Sequence, residues 1–223
     1  MKKACLEKKK QLIKKSNEDR EYKQLLHSLI KEKSLKLNDT SLEAFAHSKG
    51  DFFTEILKMD ISEEIKVYFI MSPRGTHSFA SEVTTLKDKV FVKGFKMVSN
   101  EMTLDYEFEF DSAEYDEIIS DLNKKQEYIS EEEQEEKNIE ATGLLPCIYG
   151  NWCGPMCSGP DAPISAVDRC CMHHDQCYGE QGYFNCDCDR EIIICLLPYY
   201  YMGSEWAILI TEYFLLQYNI NCS

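Results

Sequence analysis

Ten of the eleven cysteines fall in residues 147–223, and none lies between Cys5 and Cys147. Cysteine at that density in a short stretch reads as a disulfide scaffold made for an oxidising compartment. Ten is an even number, so five bridges can use them all and leave Cys5 as the odd thiol. The core of the stretch is DRCCMHHDQCY, residues 168–178, which sets His174 and Asp175 among Cys170, Cys171 and Cys177 within about three helical turns. Bridged cysteines hold a backbone rigid, and a positioned histidine and carboxylate need a rigid backbone to do chemistry.

Charge divides the chain at nearly the same place. Residues 1–36 carry 12 basic and 5 acidic side chains, residues 37–146 carry 11 and 25, and residues 147–223 carry 2 and 9. The acidic balance argues against nucleic acid as a partner and against simple electrostatic attraction to anionic lipid. No transmembrane helix is expected, because the most apolar run, WAILITEYFLLQY at 206–218, is short and contains Glu212. The start, MKKACLEKKK, is not followed by an apolar core of seven or more residues, so no secretory signal is visible in it. The cysteines nevertheless imply export, by another route or from a precursor that begins upstream.

Four segments follow from patterning. Residues 1–36 form a basic amphipathic helix, with Tyr22, Leu25, Leu26, Leu29 and Ile30 on one face. Residues 37–122 form a small α+β domain of unknown role. Within it a helix is expected over 42–59, on the spacing of Phe45, Phe52, Phe53, Ile56 and Leu57. Strict alternation from Met102 to Asp111 predicts a strand with one wet face, Val90–Val98 its hairpin partner across Ser99 and Asn100, and Lys66–Met71 a third strand. Tyr115, Ile118, Ile119 and Leu122 mark one more helix. Residues 123–146 hold seven glutamates and little that is apolar, an acidic linker.

In residues 147–223 the spacing itself implies an arrangement. Cys170 and Cys177 are seven apart, as are Cys188 and Cys195, so each pair lies on one face of a helix. The short connection with Gly179 and Gly182 turns the helices antiparallel, which pairs Cys170 with Cys195 and Cys177 with Cys188. His174 then falls between the rungs, with Asp189 opposite it and Tyr178 on its own face. A carboxylate that orients an imidazole frees the other nitrogen as a general base. The glycine-rich segment YGNWCGPMCSGP, residues 149–160, can turn backbone carbonyls inward and reach Cys171 through Cys153. Carbonyls with the Asp175 carboxylate suit a hard cation, calcium. Zinc is the weaker reading, because adjacent cysteines on a helix point to different sides. Cys147, Cys157, Cys186 and Cys222 are left with three possible pairings.

These motifs resemble the secreted phospholipase A2 family, in the compact form of its bacterial or plant members. YGNWCGP matches the calcium loop, DRCCMHHDQCY the active-site helix and CDCDREIIIC, residues 186–195, the second long helix, over about 50 residues in all. The resemblance implies a mainly α, disulfide-rich domain at 147–223, built on two antiparallel helices and a calcium loop. It implies calcium-dependent hydrolysis of the sn-2 ester of glycerophospholipids at a membrane or micelle interface by a secreted enzyme. His174 would be the base, Asp189 its orienting partner, Tyr178 a hydrogen-bond donor to Asp189, and the Gly154 amide an oxyanion donor. The carbonyls of Trp152, Gly154 and Met156 with both oxygens of Asp175 would hold Ca2+. The chain departs from the family at Met156, where glycine is usual, in the longer loop before Asp168, and in the absence of a β-hairpin between the helices. The alternative is a phospholipase A2-like lipid-binding protein or toxin without turnover.

Overall fold

The computed structural model describes residues 1–35, 37, 40–49, 52–121, 147–154 and 157–222. Its elements in order are β1 (Lys2–Lys3), α1 (Leu6–Glu18), α2 (Arg20–Lys33), β2 (Ser41–Lys49), β3 (Phe52–Asp60), β4 (Ile65–Ser72), β5 (Gly75–Leu86), β6 (Lys89–Val98) and β7 (Glu101–Asp111). A helix over 112–121, α3, follows. The last three helices are α4 (Ala166–Gln181), α5 (Cys186–Tyr201) and α6 (Glu205–Asn221). The expected linker, 123–146, and Leu122 lie outside the described residues.

All seven strands form one antiparallel sheet in sequence order, β1 to β7. The β6–β7 hairpin turns at Ser99 and Asn100, both left-handed with φ 51° and 68°, so that Val98 pairs with Glu101 as a two-residue turn requires. β4, β6 and β7 stand where the three strands were expected.

The helix expected over 42–59 is instead the β2–β3 hairpin, in which Phe45 pairs with Ile56 and Ala44 with Leu57. Both faces of the sheet are covered, so neighbouring residues are buried in opposite directions. Ile56 enters one core and Leu57 the other, each almost fully buried. A strand covered on both sides loses its two-residue alternation, and its apolar run is then easily mistaken for a helix. The single expected helix at the front is two, because Asp19 leaves the helical conformation and caps α2, its side chain accepting from the Tyr22 amide at 2.9 Å. The wet face expected for the strand at 102–111 is present, with Thr103, Glu107, Glu109 and Asp111 exposed, but Leu104 and Tyr106 of the apolar set are exposed as well on this edge strand.

Helices α1 and α2 cover one face of the sheet through Leu12, Tyr22, Leu25 and Leu29. The other face receives Tyr200, Tyr201 and Met202 from the end of α5 and Ile208 from α6, packed on Tyr68, Phe79 and Val92. One hydrophobic core thus crosses the change in composition at residue 147. Buried Glu212 of α6 adds a polar clasp: it accepts from Ser72 Oγ at 2.9 Å, and Arg74 and His77 approach it to 3.2 and 3.0 Å. Burial opposes ionisation of Glu212, but the hydrogen bonds and charges of His77, Arg74 and Ser72 outweigh it and hold the carboxyl below its ordinary range. Among the described residues no helix is long and apolar enough to cross a membrane.

Candidate functional site

Two capped helices frame the site. Ser165 caps α4 by accepting from the Asp168 amide at 3.1 Å, and Asn185 caps α5 by accepting from the Asp187 and Cys188 amides. They are bridged by Cys170–Cys195 and Cys177–Cys188, the two rungs the spacing requires, each with a Cα–Cα separation of 5.8 Å. Cys153–Cys171 ties the glycine-rich loop to α4. The open pairings resolve as Cys147–Cys157 and Cys186–Cys222, and Cys5 is free and exposed. With all ten bridged, none of these cysteines can serve as a thiolate ligand.

Between the rungs, His174 Nε2 lies 3.1 Å from Asp189 Oδ1, the histidine buried and the aspartate completely so. A carboxylate only accepts, so Nε2 carries the proton and Nδ1 keeps its lone pair. The Tyr178 hydroxyl donates to the same Asp189 oxygen. The rings of Tyr178 and Phe214 pack on the imidazole at centroid distances of 4.0 and 4.4 Å. Burial lowers the His174 pKa from its ordinary 6.5, although the hydrogen bond and charge of Asp189 pull the other way. Burial thereby favours the neutral ring, the state a base must start from. Burial also raises the Tyr178 pKa, as does its bond to Asp189, and so keeps the phenol protonated.

Asp175 faces the other way. Its Oδ2 accepts from Ser158 Oγ at 3.0 Å, which brings it to the loop. Burial pushes its pKa from 3.8 to about 6, the Ser158 bond opposing and the Asp168 charge adding. Among the described residues no cationic side chain pairs with it. In the loop, Gly154 has φ +135°, a conformation L side chains rarely adopt, and an added Cβ would meet the Ile148 amide at 2.9 Å. The Gly154 carbonyl accepts from the Cys157 amide at 3.1 Å and retains a second lone pair. Trp152 is placed by its amide on Asp168 and by its indole N–H on the Asp161 carbonyl. Met156 lies outside the described residues. No group of three or more His, Cys, Asp or Glu side chains converges among those described, so a cation here would rest on one carboxylate and on carbonyls.

Two contributors escape the sequence reading. Asp168, fully buried, accepts from the amides of Asn151, Trp152 and Ile164 at 2.9–3.0 Å and so fixes the loop. Its signal was present as the spacing Ser165-x-x-Asp168, a helix start with a carboxylate in the first turn. Gln217, on α6, reaches both Tyr178 and Asp189. Nothing local to FLLQY predicts that, since the contact depends on how the third helix crosses the other two.

The architecture defines a class of protein: a helix pair laddered by disulfides, with a buried histidine–aspartate pair and a loop covalently tied to the first helix. Within that class, the chain belongs to the phospholipase A2 family through its C-terminal third. It is 38% identical over 76 residues to a basic phospholipase A2 of Agkistrodon piscivorus leucostoma, covering 28% of this chain and 78% of that protein. It is 39% identical over 56 residues to the basic phospholipase A2 beta-bungarotoxin A2 chain of Bungarus flaviceps flaviceps, covering 21% and 37%. Over 51 residues it is 39% identical to phospholipase A2 homolog 3 of Oryza sativa subsp. japonica, covering 22% and 31%. The chain thus spans about a third of the length of these last two relatives. No family model and no solved structure matches.

Proposed function

We propose that residues 147–223 are a phospholipase A2 catalytic region with a calcium loop, and that the protein hydrolyses the sn-2 ester of glycerophospholipids outside the cell. The observation that carries this reading is the buried His174 Nε2–Asp189 Oδ1 pair at 3.1 Å, set between two disulfide rungs. Nδ1 of His174 takes a proton from water as the water oxygen bonds to the ester carbonyl carbon. The Gly154 amide donates to the oxyanion that develops. The bond to the glycerol oxygen then breaks, and His174 returns the proton to that oxygen, giving a free fatty acid and a lysophospholipid. Asp189 and Tyr178 act through His174 by keeping its proton on Nε2.

Asp175, half-buried with its pKa raised to about 6 and no cationic partner among the described residues, fits a carboxylate built to hold a cation. The carbonyls of Trp152, Gly154 and Met156 would complete the cradle. When bound, Ca2+ supplies the positive charge that polarises the ester carbonyl and stabilises the oxyanion.

The test is fatty-acid release from phosphatidylcholine carrying a labelled sn-2 chain, with calcium and with chelator. Release that stops with chelator is expected. No release at any calcium concentration, from oxidised protein, contradicts hydrolysis and leaves a lipid-binding relative. Thermal stability gives a second arm. A carboxyl whose folded pKa is raised costs stability as pH climbs from its ordinary 3.8 through about 6. Calcium should therefore raise the melting temperature at pH 7.5 and do so far less at pH 5.

A further inference from the structure

Both oxygens of the buried Asp189 carboxylate are engaged. Oδ1 accepts from His174 Nε2 and the Tyr178 hydroxyl, while Oδ2 accepts from the Gln217 side-chain nitrogen at 2.9 Å. The same nitrogen lies 2.7 Å from the Tyr178 hydroxyl oxygen. Because a carboxylate cannot donate, the amide nitrogen and not its oxygen must face Asp189. Because Tyr178 receives from Gln217, its own proton is directed to Asp189. One side chain from each of α4, α5 and α6 thus closes a ring of hydrogen bonds.

Gln217 is itself held on both sides. Five residues before it, Glu212 is clasped by Ser72, Arg74 and His77 of the β4–β5 hairpin. Five residues after it, Cys222 is bridged to Cys186 at the start of α5. The amide reaches the carboxylate from a helix that can neither slide nor rotate freely.

We propose that Gln217 is a positioning residue for the hydrolysis described above: by holding Asp189 Oδ2, it fixes the carboxylate plane so that Oδ1 keeps His174 in the Nε2–H tautomer with Nδ1 unprotonated. The role rests on reading His174 as the base. It gives α6, which lies outside the motifs that carry the family resemblance, a part in the chemistry.

The test uses the full, oxidised chain as wild type, Gln217→Leu and Gln217→Glu, with folding checked by far-UV circular dichroism. Leucine removes the donor, and glutamate keeps the shape but sets a second carboxylate against Asp189. Misorientation of a catalytic group by about 1 Å costs on the order of 100-fold in rate. We expect kcat to fall about 10- to 100-fold in Gln217→Leu, with KM within about twofold of wild type, and to fall further in Gln217→Glu. The 15N spectrum of labelled histidine should show a pure Nε2–H tautomer for His174 in the wild type and a mixture of tautomers in both variants. Folded variants with wild-type kcat, or with an unchanged tautomer, overturn the role. If the wild type releases no fatty acid, the functional reading fails on its own, and the tautomer still decides whether Gln217 governs His174.

Discussion

The sheet half and the cysteine-rich third obtain order by different means. Residues 1–121 have no disulfide among them. Seven laddered strands bury apolar side chains on both faces, with helices α1 and α2 over one of them. Residues 147–222 carry five disulfides and a smaller core of their own around Val167, Ile192, Leu196 and Ala207. The second region trades core for covalent links, as small secreted folds do. The difference bears on where the proposed site lies. A histidine–aspartate pair needs fixed geometry, and five bridges supply it within about 75 residues. The two regions still share one interface, because Tyr200, Tyr201, Met202 and Ile208 belong to the sheet's core.

Reduction should separate the regions most sharply. Each bridge stabilises by about 2–4 kcal/mol, so losing five, about 10–20 kcal/mol, matches or exceeds the whole stability of a typical domain, about 5–15 kcal/mol. Dithiothreitol should therefore abolish helical order in α4 and α5 and with it the proposed hydrolysis, while β-sheet signal in circular dichroism persists. Simultaneous loss of sheet and helix signals would mean that the halves fold only as one unit.

A subtler break targets the interface. Gly94 of β6 lies beneath Tyr201, and a Cβ there would come within 2.3 Å of the ring. Gly94→Val should lower stability by about 1–3 kcal/mol, the usual cost of overpacking, without touching the dyad. Chemical denaturation measures it. An unchanged midpoint would show that the α5 end contributes little to holding the sheet.

Legibility followed the same division. In the cysteine-rich third, i, i+7 spacing was enough to place both rungs and to set Asp189 opposite His174, because covalent pairing and helical periodicity act over a few turns. The β6–β7 hairpin was readable for the same local reason. The β2–β3 hairpin was not, since burial on both faces of Ile56 and Leu57 hides the strand period. Nor was Gln217, whose partners lie 28 and 39 residues away in the chain. Asp168 stood in plain view within DRCCMHHDQCY, but its work of gathering three loop amides depends on the loop folding back over the start of α4.

The most direct test compares wild type with His174→Ala on phospholipid labelled separately in its sn-1 and sn-2 chains, in calcium, with folding and disulfides verified. General base catalysis contributes about 100- to 10,000-fold. The proposed mechanism predicts calcium-dependent release from sn-2 alone and a loss of that order in the variant. Undiminished sn-2 release by folded His174→Ala would contradict it.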